Sequence, residues 1–265
     1  MVDELFFQSL KEKYYAPVSF PLSSVAIQDA VKAFYKFLEE PDSVKTFMNF
    51  RMPPVQRRGE VGFYHRDPTD EVRRDSKDFF HFHPVVFEKY QGFIESHPTV
   101  ADFMHKALPI WEKSRDAAYE VFSKFEPQFP GTIDKVFKGP YVRIFLRFLH
   151  YNWVSCGKYL AQPHFDAGSF TLAISESDAG LRIGSCPEDL KLVSHQDGQA
   201  LFFLSSVFNK VIETRDYVPA WHDVIQLDET VMGKPFARWA VVAFIEVPGV
   251  EQLLRSETHK FAAQS

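Results

Sequence analysis

The sequence predicts an α+β protein, mainly β, in which a double-stranded β-helix (jelly-roll) core is buttressed by N-terminal helices. Three observations predict it. Apolar residues of the first half recur at helical spacing, and from Tyr141 onward short runs of Val, Ile, Phe and Tyr are separated by Gly, Pro, Asp and Ser. Helices do not alternate with those strands, which argues against a parallel Rossmann-type sheet and for two packed antiparallel sheets. The 265 residues, 45% of them hydrophobic, suffice for a sizeable core. The expected organisation is one domain over 1–265: a mainly helical N-terminal region (1–135), the jelly-roll core (136–250) and a C-terminal tail (251–265).

Taken in order, Ile27, Val31, Phe34 and Leu38 define a helix from about Ser24 to Glu40, preceded by Pro21 and two serines able to cap it. A second helix, or a kinked pair, is expected from about Thr99 to Phe125, with Phe103, Ala107, Trp111, Ala118 and Phe122 on one side and Pro109 bending it. Strands follow from Tyr141 to about Val247, and the tail beyond Val250 reads as a short helix with a frayed end. Phenylalanine is abundant, at 28 residues, and most of it is expected in the core.

Composition narrows the function. A net charge of −5 argues against a nucleic-acid surface, which needs clustered Lys and Arg. The pairs Arg57-Arg58 and Arg73-Arg74 read as solvated loop charges. No apolar run is long enough to cross a bilayer, and the N-terminus lacks a basic segment followed by a hydrophobic one, so the protein is expected to be cytoplasmic, without a membrane partner. Cys156 and Cys186 have neither disulfide-framework nor metal-ligand spacing and read as inert thiols.

The segment from His164 to Leu172, His-x-Asp-x-Gly-x-x-Thr-Leu, carries the chemistry. On a strand, residues i and i+2 share a face, so His164 and Asp166 can grip one metal ion. A later histidine completes a facial triad of two His and one carboxylate, the ligand set of non-haem Fe(II) oxygenases. His222 is the candidate, with His195 and His150 as alternatives. His81 and His83 also stand at i and i+2 but have no carboxylate beside them, and they read as polar residues near a surface or substrate entrance. Arg143 and Arg147 share a strand face and point either to solvent or to an anionic ligand.

Together with Gly180-Leu181-Arg182-Ile183 after the motif and Leu146 to Tyr151 before it, this segment resembles the isopenicillin-N-synthase-like branch of the Fe(II)/2-oxoglutarate-dependent oxygenases. The resemblance continues through Lys191 to His195, Gln199 to Ser205, His222 at the family's interval, and Arg238-Trp239-Ala240, which matches the family's Arg-x-Ser strand. It implies metal binding by His164, Asp166 and His222, and the use of Fe(II), 2-oxoglutarate and O2. Arg238 would clamp the far carboxylate of 2-oxoglutarate through its planar fork of donors. Ala240 replaces the usual Ser, so one hydroxyl contact is missing, and Tyr151, which the family places beside the cosubstrate, or a water would supply it. Strands around Gly62-Phe63-Tyr64 and Asp75 to Phe80 are expected to join the barrel.

The implied activity is hydroxylation, desaturation or cyclisation of an unactivated C–H in a small molecule, with release of succinate and CO2. An intact Asp166 favours these over halogenation. The alternatives are a catalytically inactive jelly-roll ligand-binding protein and an Fe(II) oxidase of the same fold that does not use 2-oxoglutarate.

Overall fold

In the computed structural model, which describes residues 2–53, 59–66, 75–152, 157–227 and 237–260, the chain begins α1 (Val2–Glu12), β1 (Ala16–Ser19), α2 (Ser24–Leu38), α3 (Asp42–Lys45), β2 (Phe50–Arg51), β3 (Glu60–Arg66) and β4 (Lys77–Phe82). Helices α4 (Val85–Ser96), α5 (Pro98–Phe125) and α6 (Thr132–Val136) follow. Then come β5 (Ile144–Tyr151), β6 (Tyr159–His164), β7 (Phe170–Glu176), β8 (Leu181–Gly184), β9 (Lys191–Leu192), β10 (Gln199–Leu204), β11 (Trp221–Ile225), β12 (Arg238–Ile245) and α7 (Arg255–Thr258). Arg57-Arg58, Arg73-Arg74 and Cys156 lie outside the described residues; Cys186 is a half-buried free thiol.

The strands form two antiparallel sheets, a major one in the order β1-β10-β7-β12-β5-β4-β3-β2 and a minor one in the order β6-β11-β8-β9. This is the jelly-roll core, with helices against one face of the major sheet. Alternation along β5 shows why: Ile144, Leu146 and Phe148 turn to the helices, whereas Leu149 and Tyr151 turn to the minor sheet. Phe103 of α5 meets Phe34, Phe37, Phe80 and Phe148 at ring-centroid distances of 5.3, 5.3, 5.4 and 5.0 Å. Each such buried ring stabilises the fold by roughly 1.5–3 kcal/mol. The opposite face of the major sheet and the minor sheet enclose the polar interior described below.

Helix α2 starts as expected, with the Ser23 hydroxyl accepting the Ala26 N–H at 3.2 Å. Helix α5 is a single helix of 28 residues that continues through Pro109, whose ring lies on its exposed side. The irregularity falls in α4, at Tyr90 (φ −132°, ψ 24°). The N-terminal region is less helical than expected, since β1 to β4 all belong to the major sheet. Among the described residues, no helix is long and apolar enough to cross a membrane.

Candidate metal centre

His164 closes β6 and His222 lies on β11, where the two are direct cross-strand partners. Asp166 does not continue the strand. It sits in the turn after β6, which is drawn out of the ladder where the Phe165 N–H donates to the Thr258 carbonyl at 2.8 Å. The ligand atoms of His164, Asp166 and His222 all lie within 4.8 Å of one another. Each imidazole Nε2 is 3.8 Å from an Asp166 oxygen, beyond hydrogen-bond reach, so the three donors face a common space without bonding to each other.

Backbone carbonyls fix the tautomers. His164 donates Nδ1–H to the Gln162 carbonyl at 2.7 Å, and His222 donates Nδ1–H to the Ala220 carbonyl at 3.1 Å. Both rings therefore present Nε2 as the ligating atom. Burial, and then the neighbouring His222, His259 and Lys77, holds the His164 imidazolium well below its ordinary range and keeps the neutral form that a metal requires. Asp166 accepts the Thr171 hydroxyl at 2.6 Å, and Thr171 in turn shares a hydrogen bond with Ser205 at 2.9 Å. The tail secures the same turn: His259 Nδ1–H donates to the Pro163 carbonyl at 3.1 Å and Leu253 N–H to the Ala167 carbonyl at 3.2 Å. Two neutral nitrogens and one carboxylate, with second partners already in place, fit Fe(II).

From the triad a cavity of about 70 Å³ extends between the sheets to Arg238. Lys77, Tyr151 and Arg238 stand in one row across β4, β5 and β12. The Lys77 ammonium lies 2.5 Å from Asp75, which also pairs with Arg66 at 2.9 Å. Burial pushes the Tyr151 phenol up to about 12. Arg238 is 2% exposed. Gly180 makes room there: a Cβ at this position would come within 2.5 Å of the Ile225 carbonyl and 3.4 Å of Arg238 Nε.

Arg238 already has carboxylate partners. Its Nη2 donates to Glu176 Oε2, and its Nε lies 2.8 Å from Asp178 Oδ1. The other Glu176 oxygen lies 3.1 Å from His195 Nδ1. Glu176 reaches this position because β7 carries one extra residue. Ser175 pairs with Val241 and Ala173 with Val242, so Ile174 is passed over and Glu176 falls opposite Ala240, on the cavity side. Plain alternation from Leu172 and Ile174, which face the helices, would have turned Glu176 to the helices as well.

The other sequence-predicted residues separate. His195 is not on a strand, because β9 ends at Leu192; its Nε2–H donates to the Ala173 carbonyl at 3.0 Å, at the Arg238 end of the cavity. His150 faces the helices and lies 3.0 Å from Asp78. His83 is buried, contrary to the expected surface position, and donates Nε2–H to the Val142 carbonyl at 2.9 Å while its Nδ1 accepts the Val85 N–H at 3.2 Å. His81 lines a second cavity of about 240 Å³, with Tyr64, Phe79, Arg147 and Phe244 among its walls, and accepts the Arg147 Nε–H at 2.7 Å. Arg147 and Phe244 belong to both cavities. Arg143, buried at the start of β5, faces Glu246 rather than solvent. Sequence reasoning did not single out Lys77, Thr171, Glu176 or Asp178. The hydroxyl of Thr171 was readable in the motif, the others were not.

No family model and no curated protein matches this chain. Solved structures do. A Neurospora crassa protein in complex with alpha-KG and thymine has a TM-score of 0.68 at 14% identity, covering 99% of this chain and 84% of that one. A protein of the 2OG-Fe(II) oxygenase family from Caulobacter crescentus has a TM-score of 0.68 at 16% identity, covering 93% and 81%. The Arabidopsis thaliana dioxygenase for auxin oxidation, in its 2-oxoglutarate complex, has a TM-score of 0.62 at 13% identity, covering 95% and 91%. The chain therefore has the fold of the Fe(II)/2-oxoglutarate oxygenases over nearly its whole length.

Proposed function

We propose that this protein is a non-haem Fe(II)- and 2-oxoglutarate-dependent dioxygenase acting on a small molecule. One observation carries the reading: His164, Asp166 and His222 converge with both histidine tautomers set, at the mouth of a cavity in an oxygenase fold. When bound, Fe(II) with 2-oxoglutarate and O2 supplies conversion of a C–H to an alcohol, or desaturation or cyclisation, with one succinate and one CO2 released per turnover.

The chain's own residues do the rest. His164, Asp166 and His222 hold the metal through one face, and Thr171 steadies the carboxylate. Tyr151 lies beside Arg238 at the cosubstrate end, where Ala240 contributes no hydroxyl. The second cavity, walled by Tyr64, Phe79 and Phe244, is the candidate place for a small substrate, and it shares Arg147 and Phe244 with the cavity that the triad lines. The whole chain works as a single oxygenase domain, and its place is the cytoplasm.

A second reading, an Fe(II) oxidase of the same fold that does not use 2-oxoglutarate, is favoured by the carboxylates already held by Arg238. Anaerobic addition of Fe(II) and then 2-oxoglutarate separates the readings. A weak visible charge-transfer band, followed in air by succinate formation, supports the first. Fe(II) binding and O2 uptake with neither the band nor succinate supports the second, and failure to bind Fe(II) removes both in favour of a catalytically inactive binding protein.

A further inference from the structure

We propose that Glu176 is an internal competitor for the cosubstrate, a carboxylate of the chain itself that occupies Arg238 and that 2-oxoglutarate must displace to bind. The inference rests on the 2-oxoglutarate reading and deepens it.

The geometry is specific. One oxygen of Glu176 rests on the Arg238 guanidinium and the other lies 3.1 Å from His195 Nδ1. Asp178 takes a second edge of the guanidinium at 2.8 Å. At this end of the cavity two carboxylates, of Glu176 and Asp178, already crowd the one guanidinium. A far carboxylate arriving from 2-oxoglutarate would be the third anion around a single guanidinium in a buried space, where repulsion between like charges is weakly screened. A planar guanidinium receives a carboxylate best through two parallel donors, and here Nη2 is taken by Glu176 while Nε–H is directed at the Asp178 backbone carbonyl at 3.4 Å, with the Asp178 carboxylate close beside it. The cosubstrate and Glu176 therefore cannot both hold Arg238 in the same manner, and one leaves when the other binds.

Two neighbouring features belong to the same arrangement. Ala240 is the direct cross-strand partner of Glu176, and its methyl group leaves the Glu176 side chain its path to Arg238. The extra residue at Ile174 turns Glu176 inward. The chain thus lacks the usual serine beside Arg238 and presents a carboxylate opposite that same position.

The consequence is selectivity among 2-oxo acids. Pyruvate has the metal-chelating end of 2-oxoglutarate but no far carboxylate, so it has no use for Arg238 and is indifferent to Glu176. The test is an anaerobic titration of Fe(II)-loaded protein with 2-oxoglutarate and with pyruvate, following the visible band for affinity and thermal melting for fold. For Glu176→Gln and Glu176→Ala, 2-oxoglutarate is expected to bind at least about tenfold more tightly, while pyruvate changes by less than about twofold. Asp178 remains as a partner for Arg238 in both variants. The wild-type protein gives a reading that needs no variant: its preference for 2-oxoglutarate over pyruvate is expected to stay below about thirtyfold, less than a buried charge pair ordinarily confers.

Unchanged or weaker 2-oxoglutarate binding in folded variants, or a larger wild-type preference, overturns the competitor and leaves the cosubstrate reading standing. A wild-type protein that binds pyruvate but gives no 2-oxoglutarate band, with Glu176→Gln and Glu176→Ala equally silent, removes the cosubstrate reading and the competitor together.

Discussion

The two ends of the inter-sheet cavity are built on opposite terms. At the metal end, His164, Asp166 and His222 are each fixed by groups behind them, and each histidine nitrogen stands 3.8 Å from an Asp166 oxygen, too far for a hydrogen bond. At the other end, Arg238 is met at contact distance by Glu176 and Asp178. The first arrangement is prepared for a visitor, whereas the second is closed upon itself. The difference teaches that burial alone does not mark a binding group; what matters is whether the buried group's partner comes from the chain.

The largest expected effect breaks the metal end alone. Asp166→Ala removes the anionic ligand and should abolish Fe(II) retention and succinate formation, while the metal-free protein changes in stability by only about 1 kcal/mol, the worth of the Thr171 hydrogen bond. Metal analysis and denaturant unfolding check both halves. Retained iron would show that the carboxylate is not a ligand.

Arg238→Gln should show the converse pattern, since it leaves Glu176 and Asp178 buried beside no cation. Destabilisation of about 3–5 kcal/mol is expected, read as a lower denaturant midpoint, with Fe(II) binding preserved at saturating metal. Adding Glu176→Gln should recover part of the loss. If Arg238→Gln is as stable as wild type, the Arg238 end is not closed upon itself and the contrast between the two ends collapses.

A histidine outside the cavity sharpens what neutrality means at the metal end. Both ring nitrogens of His83 are committed to backbone groups, and burial pulls its pKa from 6.5 down to about 4. The unfolded chain takes up that proton first as pH falls. Stability from this site is therefore complete above about pH 6.5, declines by about 3 kcal/mol in all as pH falls toward 4, and levels off below that. His83→Phe should be less stable at pH 7 but lose less on acidification, measured by melting temperature across the range. An unchanged slope would assign the pH dependence to other groups.

The smallest effect tests the support behind the ligands. Thr171→Val removes the hydroxyl that Asp166 accepts, and Fe(II) affinity should fall about tenfold, at the low end for partners of a metal ligand. Unaltered affinity would mean that the turn after β6 holds Asp166 without Thr171.

The parts legible in the sequence are those whose signal is local. His164 and Asp166 stand two residues apart, the hydrophobic faces of α2 and α5 repeat at helical spacing, and the even-numbered residues of β12 alternate regularly into the cavity from Arg238 to Phe244. What escaped was set by pairing between distant strands. β1 is only Ala16–Ser19 and exists through its ladder with β10. Glu176 points into the cavity because of a shift between β7 and β12, which an alternating pattern read along β7 alone would have denied. The resemblance carries an intervening strand through His195, but β9 stops at Leu192 and leaves His195 in the loop that follows. His222 came within reach through the resemblance and its interval, since nothing adjacent to it marks a ligand.

The tail binds both flanks of the Asp166 turn, through Thr258 and His259 on the side of Pro163 and Phe165, and through Leu253 at Ala167. A protease that reaches the tail must first peel it from the segment that carries two of the three proposed ligands. Whatever tightens that segment thereby shields the C-terminus, by the same mass action that links any ligand to the state it prefers. The rate of C-terminal clipping becomes a gauge of metal occupancy that needs no substrate, slower for the loaded protein and faster once a chelator has stripped it.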